Sequence, residues 1–219
     1  MLSVLFAVLT AAPLSVIPVG KDCHVWPNHK GDRALIACQS DDEMRLAFMA
    51  KDGTTIEVQR VDSDIAQSAV ATGPAAWSPA DTHVALEIGL DEEPGVLLID
   101  VSRQPSAVFV DRALASANVS GAGPQWDSSG AWLVFRTSGT GEWENEGIYA
   151  REIKGGAMLK LVAGVPRSMT VASDTLFVTL LQADDRRKDE LVIFDLPTLL
   201  KQGSRVAIAN SARKRTEKE

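Results

Sequence analysis

The side chains able to do chemistry in this chain of 219 residues are few, and most of them are acidic. Asp and Glu cluster at four recurring places: Asp41-Asp42-Glu43, Asp91-Glu92-Glu93, Glu142 with Glu144 and Glu146, and Asp184-Asp185. Carboxylates grouped in this way can attract a basic partner over long range, or offer oxygens to calcium. No Asp-x-Asp-x-Asp-Gly loop is present, so calcium is the weaker reading. The expectation is a docking face for a protein partner, made by Asp41, Asp42, Asp91, Glu92, Glu93, Glu142 and Glu144. The histidines are His24, His29 and His83, with no third ligand at a telling spacing, so surface positions are expected and no metal. Gly-x-Ser-x-Gly, a P-loop and a dinucleotide fingerprint are all missing, so no catalytic residue and no cofactor is assigned. Asn118-Val-Ser120 is a glycosylation sequon, meaningful only in a eukaryotic secretory pathway.

Cys23 and Cys38 are the only cysteines, too few for a zinc site. A strand over 22–26 paired antiparallel with one over 34–39, around a turn near 28–31, would set the two opposite each other. A disulfide then fits and would suit an oxidising compartment; two buried free thiols are the other reading. Residues 1–20 begin with an uncharged apolar run, Leu2-Ser-Val-Leu-Phe-Ala-Val-Leu9, followed by Thr10-Ala11-Ala12. That pattern reads as a signal peptide and predicts a periplasmic or otherwise exported protein. The alternative is an N-terminal strand in a cytoplasmic chain. Pro13 and Pro18 interrupt the run, which argues against a stable membrane span.

These groups must be positioned by the rest of the chain, which is ordinary globular material: 45% hydrophobic and 23% charged. That excludes a mostly disordered chain and a multi-span membrane protein. Twenty-two basic against 29 acidic residues give a net charge of −7. Such a surface argues against nucleic-acid binding, which needs clustered positive charge. Residues 211–219 hold four basic and two acidic residues and read as a disordered charged tail.

The organising signal is a repeat. Trp26, Trp77 and Trp126 lie 51 and then 49 residues apart, each followed by a polar turn and an apolar run. A degenerate fourth copy aligns Thr170 with the Trp position. Further β-rich runs recur at Met44–Met49, Gly95–Val101, Gly147–Ile153 and Glu190–Leu196, then at Thr55–Val61, Ser106–Val110, Met158–Val162 and Arg205–Ala209. Each unit thus reads as four short strands, with a turn or two of helix at most at Asp111–Asn118 and Pro197–Gln202. Pro124-Gln-Trp126-Asp-Ser-Ser-Gly-Ala-Trp-Leu-Val-Phe135 with Gly147-Ile-Tyr149 resembles the TolB-like (WD40-like) β-propeller repeat. Trp77-Ser78-Pro79 matches the core of that motif, with Ala80-Asp81 where Asp-Gly is usual. Trp26-Pro27 is a looser match with a longer turn.

The resemblance implies an all-β propeller of about four four-stranded blades over 21–210: 21–62, 72–111, 121–163 and 165–210. Its relatives usually close six or seven blades, so a partial, open propeller is expected here. A small ring, a ring completed by self-association and a fragment of a larger propeller are the alternatives. The implied role is a non-catalytic protein-binding or scaffold module. The competing reading is an enzyme or enzyme remnant, a lyase or hydrolase working in the central funnel. If the acidic loops dock a basic partner, neutralising Asp91, Glu92 and Glu93 together slows association roughly tenfold at low salt. Stopped-flow mixing at two ionic strengths measures it, and unchanged rates at low salt would dispose of the idea.

Overall fold

In the computed structural model the described residues are 22–39, 44–60, 69–90, 93–101, 105–109, 123–137, 146–181 and 189–205. They form four sheets in chain order. The first blade is β1 (Cys23–Pro27), β2 (Arg33–Gln39), β3 (Met44–Ala50) and β4 (Thr55–Glu57), a simple antiparallel meander. A short strand β5 (Gln59–Arg60) follows, then the second blade: β6 (Ala69–Trp77), β7 (His83–Leu90), β8 (Glu93–Asp100) and β9 (Ser106–Phe109). The third blade is β10 (Gln125–Trp126), β11 (Trp132–Thr137), β12 (Gly147–Glu152) and β13 (Met158–Ala163). The fourth has three strands, β14 (Pro166–Ala172), β15 (Thr175–Leu181) and β16 (Asp189–Asp195). Helix α1 (Leu196–Gln202) and β17 (Ser204–Arg205) complete the described chain.

Period-two patterning explains how the blades stack. In β7, Val84, Leu86 and Ile88 point to one face, where they join Leu35, Leu46 and Phe48 of the first blade. Ala85, with Val96 and Leu98 of β8, points to the other face and joins Leu133, Phe135 and Tyr149 of the third blade. A sheet buried on both faces therefore reads as a nearly continuous apolar run. Val134 and Ile148 in turn meet Met169, Leu176 and Val178 of the fourth blade. Three buried clusters thus join four blades, and among the described residues no fourth cluster joins the last blade to the first. The arrangement is an open arc. Among the described residues the exposed large hydrophobics are Val25, Ile56, Leu191 and Ile193, all in the first and last blades.

Three expectations change. Arg205 does not begin the outer strand of the last blade. β17 pairs antiparallel with β13 of the third blade instead, Leu159 facing Arg205; residues 206–209 lie outside the described ones. The cause is local: Asp195 accepts a hydrogen bond from the Thr198 amide at 2.9 Å and Pro197 occupies the first turn, so the chain enters α1 directly after β16. Thr55–Val61 is likewise two strands, and β5 crosses to pair in parallel with β9 of the second blade.

Trp26 is also out of register with Trp77 and Trp126. The amides of Asn28, Ser78 and Asp127 donate to the carbonyls of Arg33, His83 and Trp132, closing equivalent turns. Pro27, Trp77 and Trp126 are therefore the matching residues, pairing with Ala34, Val84 and Leu133. Trp26 stands one place earlier, on the opposite blade face from Trp77 and Trp126. Cys23 and Cys38 are partners in the β1–β2 register, their Cα atoms 4.0 Å apart, and the two sulfurs are bonded.

The displaced Trp26 takes part in a blade-to-blade link. The Trp77 indole N–H donates to the Trp26 carbonyl at 3.1 Å, and the Trp126 indole N–H to the Ala76 carbonyl at 2.8 Å. Both acceptors occupy the same place, one residue before the matching position. The fourth blade has no Trp, and the link is remade from the other side. Gln125 donates through Nε2 to the Met169 carbonyl at 3.2 Å and accepts from the Val171 amide at 2.6 Å. Replacing Trp126 with Phe keeps most of the buried ring and leaves the Ala76 carbonyl without its partner. Urea unfolding of Trp126→Phe is expected to show a loss of roughly 1–3 kcal/mol.

Candidate functional site

The turns joining the first and second strands of each blade gather at one end of the arc. In the first three blades each is tied by one polar side chain. Asn28 Oδ1 accepts from the Asp32 and Arg33 amides at 3.1 and 3.2 Å. Ser78 Oγ accepts from the Thr82 and His83 amides at 3.1 and 3.0 Å. Asp127 Oδ1 accepts from the Trp132 amide at 2.8 Å. Three residues on, each turn needs a positive φ, supplied by Gly31 (68°), Asp81 (57°) and Gly130 (69°). Asp is among the few non-glycine residues that tolerate this conformation.

Asp81 standing where the other turns have glycine has a consequence. Its carboxylate meets the neighbouring turn: Oδ1 lies 2.7 Å from His29 Nδ1 and 3.3 Å from the His29 amide, and Oδ2 accepts from Asn28 Nδ2 at 3.2 Å. An ionised carboxylate only accepts, so Nδ1 carries the proton. In the neutral ring Nε2 is then left as an acceptor. Burial works to raise the Asp81 pKa. The hydrogen bonds from the His29 ring and backbone, with the charges of His29 and Lys30, outweigh it and hold the carboxyl below its ordinary value. A second latch joins the third and fourth blades, where Ser128 Oγ donates to Asp174 Oδ1.

Inside these turns lies a cleft of about 410 Å³ lined by residues of all four blades, among them Pro27, His29, Trp77, Gln125, Trp126 and Val171. Its lining side chains are mostly aromatic and apolar, with His29 and Gln125 as the polar groups. The cleft is open, however, and the surface it presents is as much polar as apolar, a composition able to meet both the backbone and a side chain of a ligand. Half-buried Glu87 and buried Arg136, which interact electrostatically, lie apart from this lining. Burial raises the pKa of Glu87 and the positive charge of Arg136 opposes that rise. The Glu87 carboxylate rests so close to Gly73 that a Cβ there would lie 2.9 Å from Oε2. Arg136 Nη1 also donates to the Arg167 carbonyl at 2.5 Å.

Asp41, Asp42, Asp91, Glu92, Glu142 and Glu144 lie outside the described residues, as do Asp184, Asp185 and the Asn118 sequon. Glu93 opens β8 opposite Leu90, and Glu146 is buried. The strand ends flanking these segments, such as Gln39 and Met44, lie at the end of each blade away from the cleft. The histidines are dispersed: His24 stacks on Trp26, His83 lies 6.2 Å from Trp126, and His29 holds Asp81. Among the described residues no three His, Cys, Asp or Glu side chains converge on one point. The signal for the Asp81 latch was present in the sequence as Ala80-Asp81 in place of Asp-Gly.

No protein-family model and no curated protein sequence matches the chain. Solved structures do. One is the tricorn protease, with a TM-score of 0.52 and 9% identity over 77% of this chain and 16% of that one. Another comes from a study of two prolyl endopeptidases, with a TM-score of 0.51 and 16% identity over 75% of this chain and 24% of that one. TolB from Acinetobacter baumannii gives 0.49 and 12% identity over 77% of this chain and 39% of that one. The chain therefore spans well under two thirds of each. At these identities the likeness is one of fold: the chain is all-β, with the architecture of a partial β-propeller.

Asp81→Asn keeps a residue that tolerates the left-handed turn and removes the charge. A lowered folded-state pKa contributes stability above the unfolded value and loses it as pH falls through the folded one. The variant is expected to be less stable by about 1 kcal/mol at neutral pH, with the exposed His29 limiting the size of the effect. The gap from the parent should close as pH drops below about 4. Denaturant midpoints measured across pH test this, and a gap of constant size would contradict it.

Proposed function

We propose that this chain is a non-catalytic protein-binding module that receives a segment of a partner in the turn-face cleft. The observation that carries the reading is the construction of that cleft. All four blades contribute to its lining, and the indole–carbonyl links, the Gln125 bridge and the His29–Asp81 latch hold the lining in place. A site preformed in this way loses little ordering entropy on binding. The acidic segments with Asp41, Asp42, Asp91, Glu92, Glu93, Glu142 and Glu144 belong to the proposal as the source of long-range attraction for a basic partner. The Cys23–Cys38 bond and the apolar run at 2–9 support an exported, oxidising setting.

Pro27 is exposed at the cleft, so Pro27→Arg introduces a bulky cation that obstructs the cleft and repels a basic segment without removing a buried contact. Peptides selected from a display library against the intact chain, then titrated by Trp fluorescence, are expected to bind this variant at least tenfold more weakly. Selected peptides that bind both proteins equally would remove the cleft as the site.

A further inference from the structure

The last blade differs from its neighbours at its outer edge. The outer strands of the second and third blades each carry an added strand, β5 on β9 in parallel and β17 on β13 antiparallel. The chain thus twice completes a blade edge with an extended segment, in either direction. In the fourth blade β16 is the terminal strand of its sheet, because α1 takes the chain away where a returning strand would otherwise lie. Alternate backbone groups of β16 point outward with no strand to receive them among the described residues.

The side chains along this edge define what would fit. The register with β15 pairs Asp189, Leu191, Ile193 and Asp195 with Leu181, Thr179, Phe177 and Thr175, so these four share a face. Leu191 is 61% and Ile193 58% exposed. The face therefore reads acidic, apolar, apolar, acidic. Arg167 approaches Asp189 only at 3.8 Å, with both groups half exposed, which leaves the edge negative. A second copy is a poor match. Antiparallel self-pairing centred on Val192 would set Leu191 against Ile193 but Asp189 against Asp195, like charges facing each other at both ends.

We propose that the outer edge of β16 accepts an extended segment of a partner protein in which two apolar residues, alternating in sequence, are flanked on the same face by Lys or Arg. Backbone hydrogen bonds along β16 supply affinity, and the Leu191–Ile193 pair with its flanking carboxylates supplies selectivity. The site lies apart from the turn-face cleft and does not depend on it.

The probe is a synthetic Lys-Thr-Val-Thr-Ile-Thr-Lys peptide titrated against the full chain, with two control peptides. One has both Lys replaced by Glu; the other is N-methylated at the alternate amides that would face β16. The Lys peptide is expected to bind at least tenfold more tightly than either control. Ile193→Lys, at an exposed position, should weaken it by a similar factor without altering the far-ultraviolet circular dichroism. Pro27→Arg should leave it unchanged, which separates failure at this edge from failure at the cleft. Equal binding of the N-methylated peptide, or full binding to Ile193→Lys, would overturn the proposal. So would a dimer in sedimentation that Ile193→Lys abolishes, since the edge would then belong to a second copy.

Discussion

A small antiparallel sheet with apolar residues on both faces cannot stand alone in water, and most of this structure follows from that constraint. β7 buries Val84, Leu86 and Ile88 on one side and Ala85 on the other, and only neighbouring sheets of the same shape can cover both. Stacking satisfies the inner blades and leaves one face of each terminal blade without a neighbour. Among the described residues the exposed large apolar side chains lie in the first and last blades, as expected of an arc that does not close.

Apolar stacking is indifferent to small rotations between blades; the polar links are not. An indole N–H that must meet one backbone carbonyl fixes how far each blade slides against the next. The link survives the loss of its usual donor, because Gln125 bridges to Met169 and Val171 where no Trp is available. The same contact is thus made by two unrelated side chains, which indicates that the geometry at the axis matters more than the residue supplying it. The turn latches act on different elements, so the first and second blades, and the third and fourth, are each held at more than one point.

Blade count and the antiparallel meander of the blades were legible from the sequence because the turn residues and the apolar runs recur together, and the open arc was expected from the resemblance to larger rings. The register of the first blade was not legible. Pro27 falls between Trp26 and the turn, and a conspicuous Trp draws the eye more than the Asn28 amide that sets the equivalence. The exchange of β17 to the third blade was equally hidden, since composition says that a segment is strand-like and not which edge it joins. The cleft escaped notice for a third reason. Its lining comes from residues chosen for packing, such as Trp77 and Val171, and their convergence exists only once four blades are assembled. The acidic clusters were easy to see because charge is visible in one dimension, whereas concavity is not.

The strands β5 and β17 have an implication for how the molecule comes apart. Each is donated across a blade boundary, one from the first blade to the second and one from the fourth to the third. In a linear stack whose units touch only through their faces, an end unit can melt while the rest persists, as in other repeat arrays. Here the melting of either end blade also strips a hydrogen-bonded strand from its neighbour. Exchange of strands therefore adds shared secondary structure to the coupling at each end of the arc, so that an end blade and the outer edge of its neighbour lose structure together.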